Sequence, residues 1–515
     1  MGNGAVKTIV MLMVLVVLSF VIGAQISDSV RNSFGAFAII GAVVGGGFMI
    51  FMGARVWQLL FILPPFVELL PLGYLSHPIT PCGFAPFALS AVIMVYWVVL
   101  WSMGRARIRW RWAALFDIPF LVFVGFNVVA FIRHPVALNV MNLDYDAVGG
   151  EEVLVLLFVI THYICLSMIP VTKQELEKCL DLSFKLFIPA SVLGIILGMA
   201  RGTTISTEGA AVTRFFLFYP LGSTLFFWAY SKYSVGEMLT SLRCWAITVF
   251  AGTATLLTGQ RQCMAMFAMA IVFIACIKRE VTVLILALAA AYLGVLYLGE
   301  MNLLTHMPGS VQRTLVAVPG VKVDENMQRS GAATMNTRYA VWEYAMNPRT
   351  SGVKDYIWGD GFAISRAEMN RQLVGGMRLG LSGTSEAEGF TRTRNFHNAA
   401  IHTIVRIGYV GLAWCALMCI VAWAVCIQVL RVWYRTKTYP YIVLGFINIP
   451  IMLLTYGYAN YVTKDFMFSL QSFFFLKLCY CVARDNGLLH PLFASQRYQP
   501  LMIREQEQNR TALSM

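Results

Sequence analysis

Charge is what this chain has least of. Asp, Glu, Lys and Arg make up 13% of its 515 residues, against 58% hydrophobic ones, about half the charged share of an ordinary soluble domain. That scarcity excludes a soluble globular protein. Acidic residues are the scarcer sign, 26 against 39 basic, for a formal charge of +13. In a chain this apolar, the basic surplus sets topology rather than binding nucleic acid. Residues 300–400 contain no cysteine, and all 11 cysteines lie in or beside apolar runs, which argues against a disulfide framework in the polar part. The seven histidines show no metal-ligand spacing, so neither a metal nor another cofactor is expected. No internal repeat and no Gly/Ser or Pro-rich linker divides the chain.

What the chain does have is apolar runs near the twenty or so residues that cross about 30 Å of hydrocarbon. They fall at 8–24, 36–53, 56–73, 84–103, 113–132, 152–171, 184–200, 215–231, 243–258, 262–278, 281–299, 402–430, 439–457 and 465–483. The expected fold is an all-α polytopic membrane protein of roughly 12–14 transmembrane helices with one large exoplasmic loop domain. Its parts are an N-terminal bundle (1–299), the loop (300–400), C-terminal transmembrane helices (401–483) and a cytoplasmic tail (484–515). The first run, behind Lys7, reads as an uncleaved helix, because Gly23-Ala24 makes a poor cleavage site and another apolar run follows at once.

Basic residues orient the bundle. With Arg105, Arg107, Arg109 and Arg111 on the cytoplasmic side, alternation also places there Lys173, Lys178, Lys185, Lys232, Arg243, Lys278, Arg279, Arg431, Arg435, Lys437 and the arginines of the tail. The opposite short loops hold far fewer: Arg133, Arg201, Arg214, Arg261 and Lys464. The polar segment therefore faces away from the cytoplasm.

Arginine on that far side has no topological reason to be there. Arg214 precedes Phe215-Phe216-Leu217, and Arg261 lies in the turn Thr258-Gly259-Gln260-Arg261-Gln262. Arg338 begins an amphipathic stretch with Trp342 and Ala345 at helical spacing. Three guanidinium groups converging near His397 would suit a diphosphate, since each offers paired donors matched to phosphate oxygens. The competing role for each is to reach lipid headgroups. His397 is the candidate general base, its competing role being a cap on the next helix, which Asn398 would fill at least as well. His402 and His306 are read as bystanders. Trp342 and Trp358 suit either sugar stacking or packing against the bilayer surface, and Gly359 and Gly361 a tight turn.

These residues carry a resemblance. Arg338-x-x-x-Trp342, Trp358-Gly359-Asp360-Gly361-Phe362 and His397-Asn398 with Gly408-x-x-Gly411-Leu412, in that order, resemble the central exoplasmic loop of the O-antigen ligase/polymerase superfamily. Leu257-Thr258-Gly259-Gln260-Arg261 is similar to that family's Thr-x-Ser-Arg turn, with Gln260 in place of Ser. The similarity spans about Arg214 to Leu412. The Asn-Pro-Asn-like sequence expected after the first Arg is missing after Arg214, and the stretch from Phe362 to His397 is longer than usual. The resemblance implies metal-independent, inverting transfer of a polyprenyl-diphosphate-linked glycan to an acceptor saccharide: a lipid A core, a glycan repeat unit or a glycoprotein. Arg214, Arg261 and Arg338 would hold the diphosphate, His397 would act as base, and Asn398 and Trp342 would position substrate.

The rival reading is a polysaccharide transporter or flippase without glycosyl transfer, since Glu68, Asp117 and His162 lie in apolar runs. They are scattered, without paired broken helices, and buried hydrogen-bonded roles fit them better. A receptor or scaffold using the insert to bind a partner would not need arginine at 214 and 261.

Overall fold

In hydrocarbon no water satisfies backbone N–H and C=O groups, so a long apolar run closes its own hydrogen bonds as helix. The computed structural model describes residues 51–62, 81–104, 110–135, 148–183, 204–207, 210–213, 240–257, 279–316, 318–348, 353–362, 396, 398–436 and 466–487, with isolated positions elsewhere. Its apolar runs are helices: α1 Pro81–Ser102, α2 Ala114–Arg133 and α3 Val148–Met168. A shorter α4 follows at 173–183. A hairpin of β1 Thr204–Thr207 and β2 Ala210–Thr213 comes next, then α5 Leu242–Leu257 and α6 Val281–Glu300. Two helices lie in the polar segment, α7 Gly309–Leu315 and α8 Glu325–Met346, before α9 Ala399–Thr436 and α10 Phe466–Asp485. The protein is mostly helical, and the antiparallel hairpin, pairing Thr204 with Thr213 and Thr207 with Ala210, is the exception to the expected all-α class among the described residues. Two stretches are long and apolar enough to cross a membrane, Ala114–Arg133 and Ala399–Val429.

Helices α1, α2, α3, α9 and α10 pack as one bundle. Its centre is aromatic: Phe120 lies 4.3 Å from Tyr163 and 4.8 Å from Phe474, and Phe116 5.0 Å from Phe473, between ring centroids. Asp117, expected to be buried and hydrogen-bonded, accepts from Lys477 of α10, from the Tyr163 hydroxyl of α3 and from its own Ala113 N–H. The ammonium also donates to Ser167 Oγ at 2.6 Å and sits 4.2 Å from the Tyr163 ring. His162 Nδ1 shares a hydrogen bond of 2.5 Å with Ser90 Oγ of α1. Glu68 lies outside the described residues.

The bundle's two ends are chemically distinct. At one, Arg111 donates to the Val171 carbonyl at 2.7 Å and faces Asp485, and Arg484 donates to the Trp112 carbonyl at 2.8 Å. At the other, Arg133 meets Asp355 of the polar segment at 2.9 Å. Arg111 and Arg484, grouped on one side by charge alternation, thus share one end, and the polar segment takes the opposite one.

The apolar run expected as one span at 402–430 is divided. Gly408 has φ 74° and ψ −179°, so α9 is two arms, 399–407 and 409–436. Every residue from Ile401 to Ile407 is buried, polar ones included, and Ile401 and Val405 share a core with Val341, Ala345, Val353 and Phe396. The first arm packs with the polar segment, and the exposed apolar stripe begins only at Tyr409, continuing through Leu417, Ile420 and Ile427.

Candidate functional site

Polar residues of the 300–362 segment build a scaffold that fixes α8. Gln312 of α7 donates to the carbonyls of Thr305 and Met307, both at 2.9 Å, and accepts from Asp324 N–H at 3.1 Å. Asp324 in turn caps α8, accepting from Asn326 N–H at 2.9 Å, which satisfies one of the donors that a helix start leaves open. Along α8, Val341 and Ala345 are buried, Arg338 and Trp342 half-buried, and Tyr339 exposed. The expected amphipathic helix is therefore present, and Arg338 and Trp342 stand one turn apart on one side of it.

Trp342 ties that helix to the His-Asn motif, its indole N–H donating to the Phe396 carbonyl at 2.7 Å. Asn398 caps the first arm of α9, its Oδ1 accepting from Ala400 N–H at 3.0 Å and Ile401 N–H at 3.3 Å. The capping role weighed for His397 thus falls to Asn398. His397 itself lies outside the described residues, between two neighbours whose places are fixed by these bonds. Arg214 and Arg261 also lie outside them. Their neighbouring elements do converge: β2, which ends one residue before Arg214, runs beside α7 and α8, and α5, which ends four residues before Arg261, runs beside α7. Thr314 of α7 donates to the Leu256 carbonyl at 3.2 Å, fixing that last approach.

The Trp-Gly-Asp-Gly-Phe motif is a strap laid across the break in α9. Asp360 N–H donates to the Val405 carbonyl at 2.8 Å and Gly361 N–H to the Arg406 carbonyl at 3.0 Å, while Tyr409 N–H donates to the Tyr356 carbonyl at 2.8 Å. Backbone groups released by the break are thus paired with the strap. The approach requires glycine: a Cβ on Gly408 would lie 1.9 Å from the Ile357 carbonyl oxygen, and one on Gly359 2.4 Å from the Arg406 backbone. Gly359 has φ 79° and Gly361 φ 82°, so both serve a tight turn, as expected, rather than a phosphate cradle. Asp355 holds the turn, accepting from Ile357 and Trp358 N–H, both at 2.9 Å, and from Arg133. The Trp358 amide and then the Arg133 guanidinium hold its carboxyl below the usual carboxylate value.

No protein-family model matches the chain, and no curated protein matches it in sequence.

Three side chains that the sequence does not single out for the site are buried near these elements. His402, read as a bystander, is buried in the first arm and hydrogen-bonded through Nε2 to Glu152 of α3 at 2.8 Å. Arg406 is fully buried one turn further along, and Arg313 is buried in α7, the helix that β2, α5 and α8 all contact. A buried Arg within an apolar run carries a legible signal, because such a charge needs partners. The pairing of His402 with Glu152 does not, since 250 positions separate them.

Proposed function

We propose that this protein is a multi-pass membrane glycosyltransferase of the O-antigen ligase or polymerase type. In this reading its polar segment works on the periplasmic side of a bacterial inner membrane, moving a glycan from a polyprenyl diphosphate to an acceptor saccharide. The observation that carries the reading is the position of α8, which bears Arg338, lies beside the strand leading to Arg214, and is bonded through Trp342 to the residue preceding His397.

The chemistry follows from the residues. The acceptor hydroxyl oxygen attacks the anomeric carbon from the face opposite the diphosphate, the bond from that carbon to the diphosphate oxygen breaks, and configuration inverts. The leaving diphosphate takes the electron pair and is stabilised by Arg214, Arg261 and Arg338, whose charge persists at any working pH. Neutral His397 accepts the proton of the attacking hydroxyl. Trp342 and Asn398 act on the protein side, holding the backbone on either side of His397 and thereby its alignment with the donor.

Purified protein reconstituted with a lipid-linked glycan and an acceptor saccharide tests the proposal. His397→Ala should lower turnover by roughly 10²–10⁴ with little change in donor affinity. Arg338→Ala or Arg261→Ala should weaken donor use by on the order of ten- to a hundredfold, the worth of one charge-assisted contact. Arg338→Lys should recover only part of it, because an ammonium cannot make the planar paired contact. Wild-type rates in a correctly inserted His397→Ala protein would refute the assignment.

A further inference from the structure

The tip of the strap is apolar and exposed, which is unusual for a turn held so firmly. Ile357 is 60% and Trp358 50% exposed. Around them the chain spends polar groups to fix the backbone: Asp355 accepts from both of their N–H groups, and Asp360 accepts from Lys354 N–H at 2.7 Å and Asp355 N–H at 2.9 Å. A preorganised turn that displays Ile and Trp outward is built to be covered.

Its position identifies the cover. The exposed side chains of α2 form a helical stripe, Ile118, Leu121, Val128, Val129 and Ile132, the last 70% exposed. Those of the second arm of α9 form another, headed by Tyr409 at 47%. These belong to the two stretches long and apolar enough to cross a membrane. The strap joins the ends of both: Arg133 bonds Asp355, Gly361 lies against Ala130 and His134 at the end of α2, and Tyr409 bonds the Tyr356 carbonyl. Exposed Ile357 and Trp358 therefore stand at the ends of both helices, where their apolar stripes stop. Trp and Tyr favour that level in a bilayer, where an amphipathic ring meets hydrocarbon on one side and headgroups on the other. The exposed Lys354, His134 and the Arg133 side chain beside them offer cations to lipid phosphate.

We propose that the 355–362 strap is a membrane-interface anchor, with Ile357 and Trp358 seated in the headgroup and upper acyl layer of the leaflet on the side of the polar segment. The anchor sets the height of the first arm of α9, and with it the His-Asn motif, above the bilayer. This rests on the two membrane-crossing stretches and not on glycosyl transfer.

Tryptophan quenching tests it. The full-length protein and its Trp358→Phe variant are reconstituted in phosphatidylcholine vesicles containing phospholipid brominated either just below the headgroup or near the chain ends. The difference between the two emission spectra isolates Trp358 from the other tryptophans. It should be lost with shallow bromine, largely kept with deep bromine, and kept with aqueous iodide. Moving the indole one place, by Ile357→Trp in the Trp358→Phe protein, should report the same depth. Loss to iodide with no effect of either brominated lipid would overturn the proposal by placing the turn in water. Insensitivity to all three would overturn it by showing that a protein surface, such as a second copy, covers the turn. Ile420→Trp, about 16 Å further along α9, should respond to deep bromine. If it does not, the membrane reading itself falls, whereas a deep signal at 420 with none at 358 refutes the anchor alone.

Discussion

Removing Lys477 from the bundle centre should be among the most damaging single changes available. Lys477→Met keeps the bulk of the side chain but strips Asp117 of the Lys477 ammonium, leaving a fully buried carboxylate with the Tyr163 hydroxyl and the Ala113 amide. An uncompensated charge of this kind costs about 3–5 kcal/mol. Asp117→Asn leaves the ammonium with Ser167 and the Tyr163 and Trp110 rings, and should cost a similar amount. The double variant removes both charges, so it should be less damaged than the sum of the singles by at least ~1 kcal/mol, within the range of direct contacts. Ordinary interhelical hydrogen bonds in membranes average about 0.6 kcal/mol, so the size of the coupling distinguishes an ion pair from a mere polar contact. Equilibrium unfolding of the purified protein in mixed micelles, titrated with sodium dodecyl sulfate, measures it. Singles costing under ~1 kcal/mol, or a double variant as unstable as the sum, would refute the argument.

Other outcomes follow from the same structure. Gly408→Ala should destabilise by roughly 1–3 kcal/mol from its positive-φ, extended-ψ backbone alone, before any clash with the Ile357 carbonyl, and limited proteolysis should show the strap cleaved first. Because the Asp355 carboxyl titrates below its ordinary value, its contribution to strap stability is fully present above the usual carboxylate range. That contribution is lost as pH falls through the lowered folded value, and the Trp358 emission difference on acid titration reports the loss, which Asp355→Asn should abolish. Cysteines engineered at Ser382 and Ser206 should react with a membrane-impermeant reagent in intact spheroplasts, and protection of both until lysis would reverse the orientation.

Helix positions were legible because length and apolarity decide them: the runs expected at 113–132, 243–258 and 281–299 became Ala114–Arg133, Leu242–Leu257 and Val281–Glu300. Within the site, the amphipathic spacing of Arg338, Trp342 and Ala345 announced α8, and the capping chemistry of Asn398 was visible as an alternative to His397. The break at Gly408 was not. Residues 402–430 read as one uninterrupted apolar helix, and only a strap from about fifty positions upstream supplies the donors that make a break tolerable. The hairpin was not legible either, since it falls between the apolar runs 184–200 and 215–231 and strands of four residues are too short for alternation to stand out. Lys477 and Asp117 are each visible as a charge inside an apolar run, but Glu68 and Arg406 are too, so charge balance does not choose the pairing and only the packing of α2 against α10 does.

The two ends of residues 363–395 are fastened close to one another. Gly361, just before Phe362, is bonded to Arg406, and Phe396, just after, is bonded to Trp342 and packed with Ile401 and Val405 of the same short arm. A segment whose ends are already held behaves as a closed loop, and closing a loop twice as long costs only about 0.6 kcal/mol more. Insertion between the two fastened ends therefore carries little energetic expense and leaves the bonds of Gly361 and Phe396 in place. Length between Phe362 and Phe396 is thus the quantity in this chain that can change with least consequence for the strap and the short arm it braces.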